Sequence, residues 1–296
     1  MNGFGRLALG LILTAGLAGC VTPGDLNDGS AVPPNLATPT GSGLALRALP
    51  RASRPIDVGV YKFEDQTGQQ KPEDNFSRFS KAVTQGGTSM LVDVLSDVGG
   101  KRWFNVVERE GLQNLLTERN LIDQSNAAYR GTTRSSLPPL RFAGMLIEGG
   151  IVGYDSNIQT GGFGARLLGI GASTQYRLDK VTVTMRAVSV SSGKVLTSVQ
   201  TEKSVYSVLS KGSVFRYVGT SRLLEVDGGM TSNEPVNLAV RQAIELAVYA
   251  LVVEGARDGI WSFADRNFQA KIIAKYNAGR ALEATGKTAT LVEAEG

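Results

Sequence analysis

Residues 181–205 read VTVTMRAVSVSSGKVLTSVQTEKSV. Apolar and polar side chains alternate on both sides of the turn Ser191-Ser192-Gly193, and this period of two is typical of β-strands with one buried face. Two such runs joined by a short glycine-containing turn predict an antiparallel hairpin. A β-sheet is therefore expected at the centre of the fold.

Strands and helices alternate on the N-terminal side of this hairpin. The pattern predicts strands over 56–63, 103–107 and 145–151, a helix over 81–98, and a shorter amphipathic helix over 112–119. Strands that alternate with helices indicate an α/β or α+β domain, with the sheet covered on at least one face.

An apolar helix is predicted on the C-terminal side, over 238–253, with Pro235 in its first turn. Its apolar run is interrupted by Arg241, Gln242 and Glu245. We therefore expect a core helix that is too short to cross a membrane.

Two segments, residues 154–176 and 201–222, each contain two stretches divided by a glycine-containing turn. Transmembrane β-strands need about 9–11 residues, turn alternate side chains to lipid, and carry aromatic residues at the membrane interfaces. Both segments fit this pattern. The candidate membrane residues are Tyr154, Leu168, Ile170 and Tyr176 in the first segment, and Tyr206, Val208, Phe215 and Tyr217 in the second.

In the second segment we expect the four candidates on one face and Ser207 and Arg216 on the other. Two exposed hairpins of a soluble sheet would explain the same pattern, and this alternative stays open here. Two hairpins cannot close a barrel, and an open edge in lipid leaves backbone groups without hydrogen bonds. If the hairpins enter a membrane, several subunits must share one barrel.

The N-terminus carries an export signal. Arg6 precedes the apolar stretch Leu7 to Leu17, and the run ends in Leu17-Ala18-Gly19-Cys20. This is the bacterial lipobox pattern, so residues 1–19 are expected to be removed and Cys20 to carry lipid that inserts in the bilayer. Val21 follows instead of an aspartate, which favours the outer membrane, with the soluble domain in the periplasm.

Composition excludes several classes of function. The sequence has no histidine and one cysteine, which removes His-dependent catalysis, His-ligated zinc and an intrachain disulfide. The net charge of +4 is scattered and forms no basic stripe for nucleic acid. We expect no metal, no cofactor besides the lipid, and no enzymatic activity, although a Ser-Lys or two-carboxylate enzyme stays formally possible.

Several ordered motifs resemble one family, and they run from about Val60 to Asp258. They are Asp65-Gln66-Thr67-Gly68-Gln69, Arg102-Trp103-Phe104, Glu108-Arg109-Glu110-Gly111-Leu112-Gln113-Asn114-Leu115-Leu116, Gly153-Tyr154-Asp155-Ser156-Asn157, Gly164-Ala165-Arg166, Gly169-Ile170-Gly171-Ala172, Val214-Phe215-Arg216-Tyr217 and Thr231-Ser232-Asn233-Glu234-Pro235-Val236. The chain resembles the CsgG family, the outer-membrane secretion channels for curli subunits.

The resemblance implies a homo-oligomer, a nonamer in this family. Each subunit would give two hairpins to a barrel of about 36 strands, a count that comes from the family and not from this sequence. The periplasmic α/β domains would form a ring below the barrel. The implied map is signal peptide 1–19, lipidated extended tether 20–54, α/β domain 55–153 with a constriction loop over 64–80, membrane hairpins 154–176 and 201–222 on either side of periplasmic strands 177–200, periplasmic helices 223–276 and flexible tail 277–296.

The family's constriction loop carries Tyr-x-x-x-Asn-Phe, and this chain departs from that pattern. Its loop reads KPEDNFSRFS over 71–80. The alignment places the family's Phe at Phe79 and its Asn at Arg78; alternatively, the pair survives as Asn75-Phe76. The family's Tyr has no counterpart, because Glu73 or Asp74 occupies its region. The departure adds charge and indicates a paralogue, similar to the holdfast attachment protein HfaB, rather than the curli channel.

The expected function is therefore an oligomeric, ATP-independent secretion channel that exports unfolded adhesin, curli-like or holdfast-anchor subunits. Accessory factors in the periplasm or at the cell surface are expected partners. The alternative is an outer-membrane lipoprotein scaffold that anchors a surface adhesin or polysaccharide without forming a pore.

Overall fold

The computed structural model describes residues 36–67, 84, 86–131, 137–160, 175–210, 214–218 and 235–284. Internal contacts divide the chain into Met1–Thr38 and Pro39–Gly296, and all elements belong to the second unit. The strands are β1 Ile56–Gly59, β2 Phe63–Asp65, β3 Phe104–Val107, β4 Met145–Thr160, β5 Gln175–Ser189, β6 Val195–Ser210 and β7 Val214–Val218. The helices are α1 Gly41–Ala48, α2 Gly87–Asp97, α3 Leu112–Arg130, α4 Pro235–Arg257 and α5 Arg266–Ala284.

The described strands form one mixed sheet in the order β3-β1-β4-β5-β6-β7, with β2 also beside β4. β1 and β2 run parallel to β4, and β3 runs parallel to β1, whereas β4 to β7 are antiparallel neighbours. The predicted hairpin at 181–205 is confirmed as β5 and β6. Gly193 in its turn has φ of 67°, a left-handed conformation that favours glycine.

The core lies between one face of the sheet and α4. Alternate residues of β5, from Val181 to Ala187, are fully buried on this face. The helix is covered on several sides, because the sheet lies against one side and α1, α2 and α5 pack on it as well. A mixed α/β domain is thus confirmed.

Among the described helices, α4 alone has the length and hydropathy that a membrane span requires, over Val236–Arg257. It has 23 residues, so the expectation that it is too short was wrong. Its burial in the domain nevertheless confirms the predicted core helix. Most of its side chains lie against the sheet and the other helices, including Ala243, Ile244 and Leu251 at 0% exposure.

Other element boundaries differ from the expectations. The structure has two strands, β1 and β2, where a single strand is predicted over 56–63. Both pair with β4, one after the other along its length: Val58 pairs with Met145, and Asp65 pairs with Ile151. Exposed Tyr61 lies in the break between them. The helix predicted from residue 81 starts at Gly87, and residues 81–83 lie outside the described part.

At three places the structure has more helix than the sequence predicted. The tether predicted as extended over 20–54 contains α1, whose Leu46 is 2% exposed, so the chain joins the domain by Thr40. α3 continues to Arg130 instead of ending near Arg119. α5 continues to Ala284, into the segment predicted to be a flexible tail from residue 277.

Candidate functional site

Four strands continue past the part of the sheet that the helices cover. β2 pairs with β4 only as far as Ile151, and a β-bulge follows between Ile151 and Gly153. Beyond the bulge the side chains of β4 become exposed, with Ile158 at 62% against 0% for Ile151. We call residues 153–160, 175–180, 202–210 and 214–218 the sheet extension. It contains the described parts of the two predicted membrane hairpins except Thr201, together with Gly153 and residues 177–180, which were predicted to be periplasmic.

The strands are continuous across the predicted boundaries. β4 and β5 pair from Met145–Ser189 to Thr160–Gln175, so the first hairpin is the outer end of a pair that starts in the core. Thr201, the first residue of the second predicted hairpin, still lies in the core, where its Oγ1 donates a hydrogen bond to the Ala243 carbonyl at 2.9 Å. The sheet extension therefore begins after Thr201 in β6.

The register of β6 and β7 corrects the predicted faces of the second hairpin. Val208 pairs with Arg216, and Ser207 pairs with Tyr217. Residues directly opposite each other in an antiparallel pair share a face. Arg216 therefore lies on the face of Tyr206 and Val208, whereas Phe215 and Tyr217 lie on the face of Ser207. The prediction failed because it did not fix which residues pair across the turn.

The predicted membrane tyrosines fall on two faces. Tyr176 is 3% exposed, and its ring centroid is 6.0 Å from that of Tyr206. Tyr154 points to the opposite face, where its hydroxyl donates a hydrogen bond to Asp179 Oδ1 at 3.1 Å. Tyr176 and Tyr206 therefore pack against each other, whereas Tyr154 ties β4 to β5.

Ion pairs mark the base of the extension on both faces. Arg177 Nε lies 3.0 Å from Asp179 Oδ2, and Asp179 is fully buried. On the other face Lys180 Nζ lies 2.7 Å from Glu202 Oε2, and this hydrogen bond raises the pKa of the lysine. Charged groups at this level are costly in hydrocarbon. Any lipid contact must therefore begin further out, beyond the Arg177–Ser207 pair.

The segment predicted to narrow the channel is fixed at both ends. The Phe63 amide donates to Thr88 Oγ1 at 2.9 Å, which joins β2, before the loop, to α2, after it. The Gln66 amide donates to the Ile151 carbonyl at 2.8 Å. Gly87 permits this approach, because a Cβ there would lie 2.5 Å from the Phe63 carbonyl oxygen. The described residues on either side of the loop therefore lie close together, beside the base of the extension.

Several predicted site residues lie outside the described part of the chain, so they stay predictions. These are the lipidation site Cys20, the constriction candidates Glu73, Asp74, Asn75, Phe76, Arg78 and Phe79, and the membrane candidates Leu168 and Ile170. The backbones of Val208, Phe215 and Tyr217 are described only as parts of β6 and β7.

Sequence reasoning missed a buried carboxylate where the chain enters the domain. Glu245 of α4 is 1% exposed and accepts hydrogen bonds from the Thr40 hydroxyl, from Ser42 Oγ at 2.5 Å and from Arg241 Nε at 3.1 Å. Thr40 is also the N-cap of α1. An acidic residue inside an apolar helix was the available signal, but it was interpreted only as an interruption.

A groove of about 410 Å³ runs along β6, between that strand and helices α4 and α5. We call it the β6 groove; it is lined by 198–202 together with Leu246, Ala250, Glu254, Tyr276 and Arg280. Glu254 accepts hydrogen bonds from the Tyr276 hydroxyl at 2.7 Å and from Arg280 Nη1 at 2.6 Å. Burial and the Glu254 carboxylate raise the pKa of Tyr276. Across the described residues, no acidic, histidine or cysteine cluster suited to a metal occurs.

Comparison with known families gives one match that covers most of the chain. The family model described as "Curli production assembly/transport component CsgG" matches residues 42–279. The curli production assembly/transport component of Salmonella typhimurium is 44% identical over 265 residues, which cover 88% of this chain and 92% of the relative. The protein with the same description from Escherichia coli K12 is 43% identical over 263 residues, with the same coverage.

Two solved structures that the chain resembles are distant from it. A protein of Xanthomonas campestris covers 77% of this chain, and 94% of its own chain is matched, at 11% identity and a TM-score of 0.32. The PelC dodecamer from Paraburkholderia phytofirmans covers 67% of this chain, with 90% of its own chain matched, at 12% identity and a TM-score of 0.26. Similarity this low carries no argument about the function of the site.

Proposed function

The chain belongs to the CsgG family, and from that premise we propose that its copies form an ATP-independent secretion channel in the outer membrane. The four strands of the sheet extension would supply each copy's share of a common β-barrel. The lipid on Cys20 would anchor the subunit, and the α/β domain would lie in the periplasm.

The observation that carries this proposal is the pair of open edges on the extension. Beyond Ile151, β4 pairs only with β5, and β7 pairs only with β6, among the described residues. In hydrocarbon, unpaired backbone groups cost several kcal/mol each, so an open four-stranded sheet is not stable there. Pairing β7 of one copy with β4 of the next satisfies both edges. Repeated around an axis, this head-to-tail contact closes a ring, for which the family implies nine copies.

The fixed ends of the loop over 68–83 support the proposal that this loop narrows the channel. Because β2 and α2 hold both ends beside the base of the extension, every copy would present its loop at the same height in the ring. A ring of Phe79 side chains would offer apolar contact to a passing chain. Arg78 and Asp74 would bias the charge of the chains that pass.

Transport through such a ring needs no nucleotide, and capture of the substrate outside the cell would give it direction. A narrow ring excludes folded proteins, so the substrates would be unfolded adhesin subunits, either curli-like or holdfast-anchor subunits. The charged residues that replace the family's Tyr favour a substrate different from that of the curli channel. Accessory factors at either mouth would be further partners.

Single-channel conductance tests this proposal. The purified oligomer, reconstituted in planar bilayers, should conduct, and Phe79→Ala should raise the conductance by widening the ring. Val190→Ala, which changes an exposed apolar residue on the β5–β6 turn, is the control. An unchanged conductance in Phe79→Ala removes Phe79 from the ring. Monomers in detergent that give no conductance would instead favour the scaffold that binds adhesin or polysaccharide.

A further inference from the structure

Helix α3 is an unusual element because none of its 19 residues is buried. Leu121 is 54% exposed and Tyr129 is 90% exposed. Most of the stability of a helix in a protein comes from tertiary packing of one face and not from intrinsic propensity. A long helix that packs this little in one copy of the chain is expected to be covered in the assembly.

A second exposed aromatic residue belongs to the same surface. Phe142 is 81% exposed and precedes β4. Its neighbourhood is joined to α3 by Arg119, which donates to the Pro138 carbonyl at 2.5 Å, and to the segment just before α3 by Arg109, which donates to the Arg141 carbonyl at 2.9 Å. We call α3 together with Phe142 the α3 face. It lies on the β3 and β1 side of the sheet, since Arg141 also pairs with Asp57 of β1 at 3.0 Å.

The β6 groove lies on the other side of the same sheet. Along Val195–Val205, β6 pairs with β5 on one edge, and no described strand pairs with its other edge. The groove follows this open edge, with Val199, Leu246 and Ala250 as apolar lining and Glu202 and Arg280 as charged lining. An unpaired strand edge is a template for association with another chain.

We propose that the α3 face of each copy packs into the β6 groove of the next copy. Barrel closure in the proposed channel pairs the β7 side of one copy with the β4 side of the next. The β6 groove is on the β7 side, and the α3 face is on the β4 side. The rotation that closes the barrel therefore brings these two surfaces together below the membrane. The inference thus rests on the proposed function.

The α3 face offers side chains that a concave site could accept. Phe142, Leu121 and Tyr129 are exposed, and the groove supplies a space of about 410 Å³ in which Val199, Leu246 and Ala250 lie among polar and charged side chains. Large aromatic side chains in such pockets dominate the energetics of many interfaces. The contact is heterologous, because two different surfaces meet, and it is therefore compatible with a closed ring.

Cysteine crosslinking of the assembled protein tests the inference with little background, since the natural sequence has only Cys20. A Phe142→Cys/Gln200→Cys variant should give a ladder of disulfide-linked multimers on mild oxidation, as should Leu121→Cys/Gln200→Cys. The matched control is Phe142→Cys/Ser192→Cys, because Ser192 is exposed on the β5–β6 turn, outside the groove. This control should give no ladder.

Assembly gives the second measurement. Phe142→Asp should raise the protein concentration needed for half-maximal ring formation by about tenfold or more, whereas Ser192→Asp should not change it. Conducting rings that show neither the Gln200 ladders nor a Phe142→Asp defect would overturn the inference and leave the proposed channel intact. A parent protein that forms neither rings nor conducting channels would overturn the proposed function and, with it, this inference.

Discussion

Glu245 illustrates how one residue connects the N-terminal segment to the core. Its carboxylate is 1% exposed and holds Thr40 and Ser42 at the start of α1 as well as Arg241 on its own helix. Arg241 also binds Asp93 of α2 at 2.7 Å, so the network joins three helices. The network therefore fixes the start of α1 to the core of the domain.

Removing this carboxylate should destabilise the domain. Glu245→Ala leaves the buried Thr40 hydroxyl, the partly buried Ser42 hydroxyl and a half-buried guanidinium without their acceptor, and we expect a loss of about 2 kcal/mol in the free energy of unfolding. Urea unfolding followed by tryptophan fluorescence measures it, because Trp103 and Trp261, the only two tryptophans, are both buried. Glu148→Ala, which breaks the surface pair with Arg186, should cost below about 1 kcal/mol. Equal losses in the two variants would contradict the role of Glu245.

Tyr276 should make stability depend on alkaline pH. Burial and the Glu254 carboxylate raise the pKa of its hydroxyl in the folded protein above the value of about 10 in the unfolded chain. The folded state therefore favours the protonated phenol. Its stabilising contribution is complete below about pH 10 and is lost as the pH rises above that value towards the folded-state pKa.

The variant Tyr276→Phe tests this dependence. At neutral pH it should lose about 1 kcal/mol with the hydrogen bond to Glu254, and its stability should fall less steeply than that of the parent above about pH 10. Tyr61→Phe, which changes an exposed tyrosine, is the control and should leave the pH dependence as it is in the parent. Parallel stability curves for Tyr276→Phe and the parent over about pH 8–11 would show that Tyr276 does not titrate differently in the two states.

At the scale of elements, regular alternation was the reliable signal. The period of two over 181–205 predicted β5 and β6, and the apolar run after Pro235 predicted α4. The second half of α3, from Asn120 to Arg130, is mostly polar and has no buried face, so periodicity could not extend it. The break between β1 and β2 arises from pairing with β4, which a local pattern does not contain.

The faces of the second hairpin also could not be predicted from a local pattern. Alternation within β6 and within β7 was visible, but the face that β7 turns to each side depends on the pairing register. The structure pairs Ser210 with Val214, which places Ser207 opposite Tyr217 and not on the face of Arg216. One residue of register decides which side chains share a face.

Designed cysteine pairs test this register. Ser207→Cys/Tyr217→Cys places two cysteines at paired positions of adjacent strands, where Cβ atoms come within disulfide distance. We expect this variant to form an intramolecular disulfide, measured as the loss of free thiols after oxidation. Ser207→Cys/Arg216→Cys, the pair that the sequence pattern put on one face, should keep its thiols. The reverse outcome would restore the original assignment.

At the scale of the whole molecule, the family and the positions of the two predicted hairpins could be predicted from the sequence, whereas most contacts of the candidate site could not. The ordered motifs were specific enough to indicate CsgG, and the family match over 42–279 confirmed it. The ion pairs at the base of the extension, the Glu245 network and the β6 groove join residues that are far apart in sequence, such as Asp93 with Arg241 and Thr201 with Ala243. A single sequence read by local pattern does not bring such residues together.

The central claim is that the sheet extension is one subunit's share of a barrel that several copies close. Electron microscopy of the oligomer, extracted from the outer membrane in detergent and imaged to a resolution that separates strands, tests it most directly. The account predicts a closed ring in which β7 of each copy pairs with β4 of the next, above a ring of α/β domains. Monomers, or rings whose sheet extensions lie in water without pairing to a neighbour, would contradict it.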